Sequence, residues 1–148
     1  MRRILYCLLL ALWVVPALVG AKVVDESAKV FSVNIPDGWV FDAKANAWHN
    51  SNNSGALILR SAPVKLTLEE WAKLSTSKTP KGTVVSKDKL GTVDAKRLEF
   101  VGAEGYKNTI WIAKKGPKGA IITLVHNSAC PDKIPDIKKK MISSFKWK

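Results

Sequence analysis

Apolar and polar positions in this chain fall into short alternating runs punctuated by glycine, and the clearest stretch is Lys96 to Val125. It reads KRLEFVGAEGYKNTIWIAKKGPKGAIITLV, three apolar runs separated by loops that each hold two glycines, Gly102 with Gly105 and Gly116 with Gly119. β-Branched and aromatic residues between such breaks predict strands, and connections this short join antiparallel neighbours, so the expected product is a β-meander. In the first run Leu98 and Phe100 alternate with Arg97 and Glu99, the pattern of a half-buried strand. The next two are apolar on both sides. Ile110 and Ile112 oppose Trp111, while Ile121 and Val125 oppose Ile122 and Leu124, which calls for cover on each face of the sheet.

The rest of the chain supplies candidates for that cover. Phe31, Val33 and Ile35 share one face of a strand over Lys29 to Ile35, which Pro36-Asp37-Gly38 ends with turn chemistry. Trp39 and Phe41 resume the alternation, Trp48 follows, and Asn50 to Gly55 reads as a hairpin loop before the apolar run Ala56 to Leu59. Thr67-Leu68-Glu69-Glu70 has the spacing of a capping box: a threonine that accepts an amide proton three residues on, and a glutamate that reaches back. Leu68, Trp71 and Leu74 then predict an apolar stripe on the helix that follows. Thr83 to Leu90, rich in Val and Lys, suits an edge strand guarded by charge. In the tail, Pro131 to Lys148, the residues Ile134, Ile137 and Met141 line one side of a second helix, and Lys138, Lys139 and Lys140 are expected to face outward. Phe145 and Trp147 are expected to close the structure as a short extended segment.

Residues 1–21 have a different character. Arg2 and Arg3 precede a sixteen-residue apolar run, Ile4 to Val19, and Val19-Gly20-Ala21 offers small residues before Lys22. This is the pattern of an export signal cleaved near Ala21, and the run is shorter than the roughly 20 residues of a membrane span. A periplasmic or secreted protein is expected, with residues 22–148 as one domain; retention of the segment as an anchor is the alternative. Without Arg2 and Arg3 the 24 basic residues become 22, against 12 acidic ones, a net charge of +10. Such a charge draws anionic surfaces: lipid, envelope polyanions or an acidic protein. Nucleic acid ranks behind these, because the exported compartment offers little of it.

Chemistry enters mainly through what is missing. No GxSxG, HExxH, CxxC or phosphate-cradling glycine loop occurs, so no catalytic residue is assigned and the chain is read as a non-enzyme with no cofactor. Of the two cysteines only Cys130 lies outside the leader, which rules out an intrachain disulfide there and leaves a monomer, or a dimer linked through Cys130, as the expectations. A metal site would need His49 and His126 to converge with Asp37 or Asp132; none is assigned. Among the tryptophans, Trp48 beside a polar loop is expected to be the most exposed, and with His49 and Asn50 it forms a candidate ligand site. The run Lys138, Lys139 and Lys140 reads either as a solvated helix face or as a docking patch for an anionic partner.

Taken in order, FSVNIPDGW at Phe31 to Trp39, the strand ALIL, LTLEEWAKL, AKRLEF at Ala95 to Phe100, TIWI at Thr109 to Ile112 and ISSFK at Ile142 to Lys146 resemble the Mog1/PsbP-like superfamily, and within it its small exported bacterial members. The resemblance implies an α+β fold: an antiparallel β-sheet with helices packed on both faces, an α/β/α sandwich. It does not fix function, because plant and cyanobacterial relatives support a photosynthetic complex whereas Mog1 relatives bind a small nuclear GTPase. No motif here carries either partner's site. The leading expectation is an exported, non-catalytic binding or accessory module of the bacterial envelope; the alternative is a carrier of a sugar, lipid or peptide near Trp48. A third reading, a hydrolase, would require His126, Cys130 and an acid to meet.

Overall fold

The computed structural model describes residues 22–148, and the reading of residues 1–21 as an export signal lies outside them. The order of elements is β1 (Lys22–Asp25), β2 (Phe31–Ile35), β3 (Val40–Asp42), β4 (Ala47–His49), β5 (Gly55–Pro63), α1 (Leu68–Thr76), β6 (Val84–Leu90), β7 (Val93–Val101), β8 (Lys107–Lys115), β9 (Lys118–His126), α2 (Ile134–Ser144) and β10 (Lys146–Trp147). The fold is α+β. Seven strands form an antiparallel sheet in the order β3-β4-β5-β9-β8-β7-β6, and a smaller sheet runs β1-β2-β10.

The meander forms as the glycine punctuation predicts. Trp111 of β8 stands between Arg97 of β7 and Ile122 of β9, and Leu59 of β5 extends the row. Successive strand residues point to opposite faces, and Trp111 and Ile112 accordingly enter different buried clusters. Trp111, Ile122, Leu124 and Leu57 pack with Phe31 and Val33 of β2 and with Ile137 and Met141 of α2. Ile112 and Leu98 pack instead with Trp71 and Ala72 of α1.

Each helix is seated on a glycine. A Cβ at Gly119 would lie 2.6 Å from Val64 Cγ2 and 2.8 Å from the Trp71 ring, so the indole of α1 rests directly on the backbone of β9. At Gly91, between β6 and β7, φ is +60° and the N–H donates to the Ile142 carbonyl at 2.7 Å. A side chain there would be strained by the backbone and would strike the Phe145 carbonyl oxygen, 2.8 Å from the Cβ position. The end of α2 is thereby fixed against the edge of the sheet.

The capping box is present as expected. Thr67 Oγ1 accepts from the Glu70 N–H at 3.2 Å, and Glu70 Oε2 accepts from the Thr67 N–H at 2.8 Å, which holds the Glu70 carboxyl below its ordinary range. The stripe differs from the expectation. Leu74 is 47% exposed while Trp71 and Ala72 are buried. At 100° per residue Leu74 lies about 60° beyond Trp71, outside the arc that one indole on one glycine brings into contact.

Three further corrections concern strands and lysines. The alternation predicts no element before Lys29, whereas β1 pairs with β2 from Lys22 opposite Ile35 to Asp25 opposite Ser32. β5 runs on to Pro63, its nine residues all paired with β9. Lys138 does not face outward: its side chain is 24% exposed, donates to Glu99 Oε1 at 3.1 Å and stands 5.9 Å from the centre of the Trp111 ring. It occupies the position one turn after Ile134 and three before Met141, on the flank of the buried stripe.

Candidate functional site

β4 is a short strand held between β3 and β5, with Trp48 opposite Phe41 on one side and Leu57 on the other. Cross-strand partners share a face, and the Trp48 and Phe41 rings meet with centroids 5.2 Å apart and planes tilted by 48°. Together with Val24, Leu59 and Asn46 they line a cleft of about 360 Å³. Lys22 Nζ lies 5.6 Å from the Trp48 ring centre, near enough for a cation–π attraction. The buried Glu26 carboxylate also borders the cleft, but it already accepts from Ser61 Oγ, Ser27 Oγ and the Ala28 N–H, each at 3.1 Å.

The three residues of the sequence-predicted ligand site are not brought together. His49 follows Trp48 in the strand and so points to the opposite face; it is half-buried, and its Nε2 has no hydrogen-bond partner among the described residues. Asn50 is 5% exposed and fixes its own loop. Its Oδ1 accepts from the Gly55 N–H at 3.0 Å, and its Nδ2 donates to Ser54 Oγ at 3.0 Å and faces Asp132 Oδ2 at 3.4 Å. Only Trp48 of the three borders the cleft.

The lysine run on α2 is divided as well. Lys138 belongs to a network beneath the helix: Glu99 takes it and Arg97 Nε, at 3.1 and 3.4 Å, and Arg97 Nη1 reaches Asp88 at 3.1 Å. Asp88 Oδ2 also accepts from the Trp111 indole at 2.9 Å. Lys140 borders a second cleft, of about 210 Å³, together with Asp37, Asp132 and Asp136. Lys139 is exposed.

No protein-family model matches the chain, and no curated protein matches it. Solved structures do. A crystal structure from Bacteroides thetaiotaomicron superposes with a TM-score of 0.65 at 16% identity, covering 86% of this chain and 48% of that one. The chain thus spans about half the length of that protein. The solution structure of cyanobacterial PsbP (CyanoP) from Synechocystis sp. PCC 6803 superposes with a TM-score of 0.60 at 11% identity, covering 88% of this chain and 94% of that one. The fold is PsbP/Mog1-like. At these identities the likeness is one of fold, in agreement with the resemblance carried by the sequence fragments.

Within this PsbP-like fold, His126 and Cys130 keep different company. His126 shares a shallow groove with Glu99, Lys107 and Lys138; burial, and then the Lys138 charge, hold its imidazole below the ordinary histidine range. Cys130, half-buried, faces Asn50 Nδ2 at 3.5 Å and Asp132 Oδ2 at 3.7 Å. No hydrogen bond joins the two among the described residues. Nor, among those residues, do three or more His, Cys, Asp or Glu side chains gather as a metal site, and no helix is long and apolar enough to cross a membrane.

What sequence reasoning missed lies at the β8–β9 turn. Lys115 and Lys118 are direct cross-strand partners around Gly116-Pro117, and Lys115 shares a cleft of about 540 Å³ with Lys114, Lys146 and Trp147. The signal was present as KKGPK at a hairpin turn. Its meeting with the C-terminal Lys146 depends on how β10 pairs.

Proposed function

We propose that this chain is an exported, non-catalytic binding or accessory module of a bacterial cell envelope that meets its partner through exposed lysines. The observation that carries this reading is the set of lysines around the β8–β9 turn that have no carboxylate within salt-bridge reach among the described residues, with a net charge of +10 over residues 22–148. Charge of one sign left unneutralised gains little for folding and draws an oppositely charged surface. The layered architecture is part of the same reading. Helices covering both faces of the seven-stranded sheet would leave its edges and turns as the outer contact surfaces, and the separate packing of Trp111 with α2 and of Ile112 with α1 supports it.

Binding to isolated envelope fractions across a salt series tests this. Screening shortens from about 30 Å at 0.01 M to about 3 Å at 1 M salt, so retention should fall steadily over that range. Retention that ignores salt would contradict the reading. Mass spectrometry of the protein recovered from its host tests export, with an N-terminus at Lys22 expected.

The aromatic cleft supports a second reading, a small-ligand carrier. Its walls are the Trp48–Phe41 pair with Leu59 and Val24, an apolar pocket with a polar edge. Titration with sugars, lipids and peptides should then give saturable quenching of tryptophan emission that Trp48→Ala abolishes.

A further inference from the structure

We propose that the pole formed by the Gly116-Pro117 turn and the C-terminal strand docks on the anionic phospholipid surface of a membrane, with Lys115, Lys118 and Lys146 as the contact charges. This deepens the basic-face reading above, on which it rests, by naming the site and the chemistry of its partner.

The geometry begins with the hairpin. Lys115 and Lys118 stand directly opposite each other in the antiparallel ladder, where like charges oppose pairing, and neither has a carboxylate partner among the described residues. Folding therefore gives no reason for them. β10 brings a third charge alongside: Lys146 borders the same cleft as Lys115, and its neighbour Trp147 is held in place by β2 and by edge-on contact with Phe145 at 5.2 Å. The patch continues past the end of the strand. The Lys148 N–H donates to the Val30 carbonyl at 2.9 Å, and Val30 borders the groove that also holds Lys118. The carboxylates nearby are occupied: Asp25 pairs with Lys148 at 3.1 Å, and Glu26 is buried in hydrogen bonds to its own turn and Ser61.

Two observations favour a lipid surface over an acidic protein. Protein interfaces are centred on buried apolar anchors, and the most exposed large apolar side chains here, Val23, Val40, Val84 and Val101, do not line this cleft. The pole instead carries long lysines on flexible stems around a rigid indole. Such side chains lay their apolar parts along a membrane interface and leave the charge among the headgroups. The alternative on α2 is weaker on charge alone, because Lys138 is held by Glu99 and Lys140 shares its cleft with three aspartates.

Sedimentation of the purified protein with vesicles tests this, using phosphatidylcholine alone and phosphatidylcholine with about a third phosphatidylglycerol. Binding should be confined to the anionic vesicles, weaken with salt and shift the tryptophan emission to the blue, and Trp147→Phe should reduce that shift. At about fivefold per lysine near an anionic surface, K115Q/K118Q/K146Q should lose roughly a hundredfold in affinity. K139Q/K140Q should stay within about twofold. If the triple variant melts early, the single charge reversal Lys115→Glu gives the same reading. Equal binding to neutral vesicles, an unaffected triple variant, or displacement by inorganic phosphate at constant ionic strength would each overturn the proposal. Salt-sensitive binding to envelope fractions without binding to vesicles would overturn the lipid surface and leave the basic-face reading standing. Loss of both would remove both.

Discussion

Two groups of three lysines carry the contrast in this molecule. Lys138, Lys139 and Lys140 are consecutive in the chain, and the fold separates them: one over the Trp111 ring and bound to Glu99, one in solvent, one beside three aspartates. Lys115, Lys118 and Lys146 are scattered in the chain, and the fold gathers them at one pole without carboxylate partners among the described residues. A run of one charge is therefore a poor guide to a binding face. What matters is which charges remain unneutralised after strand pairing and helix docking have taken their share.

The contrast fails if the α2 flank is not structural, and the largest effect tests that first. Trp111, fully buried beneath Lys138, should cost about 3 to 5 kcal/mol when replaced by alanine. A denaturant midpoint close to wild type would show that α2 does not sit on a packed core there. Asp88→Ala should follow at about 1 to 3 kcal/mol, because it leaves the Trp111 indole N–H buried without its acceptor and Arg97 without one of its partners. Next, K115Q/K118Q/K146Q should stay within about 0.5 kcal/mol of wild type in the same measurement, as surface positions outside any packed network do; a larger loss would make those lysines structural as well.

The smallest effect concerns His126. Burial and Lys138 depress its folded pKa, so an NMR titration should place its midpoint below 6.5, and Lys138→Met should move it upward. The sign for stability follows. Above 6.5 the ring is neutral folded or unfolded; as pH falls through 6.5 the unfolded chain takes the proton first, and folding loses stability until the folded midpoint is passed. His126→Gln should flatten that part of the acid profile.

Local signals were legible in the sequence. Glycine punctuation and alternation announced the meander, the TLEE spacing announced the cap of α1, and the edge placement of β6 followed from its lysines. Features decided by distant partners were not. β1 is four residues long, and only β2 makes it a strand. Asn50 resembled a loop residue free to bind, whereas its partners include Asp132, 82 positions away. Trp48 was singled out from its polar surroundings and does border a cleft, but the strand's alternation, applied to His49, sets that residue on the other face. The lysine pole is not legible in the sequence because its members meet only through the pairing of β10 with β2 and of β8 with β9.

The most direct comparison of the two lysine groups is an acetylation footprint, read lysine by lysine by mass spectrometry on one sample bound to anionic vesicles and one mixed with neutral vesicles. Protection of Lys115, Lys118 and Lys146, with Lys139 and Lys140 reacting equally in both, is the predicted result. Protection of Lys139 and Lys140 with the turn lysines left reactive would contradict it.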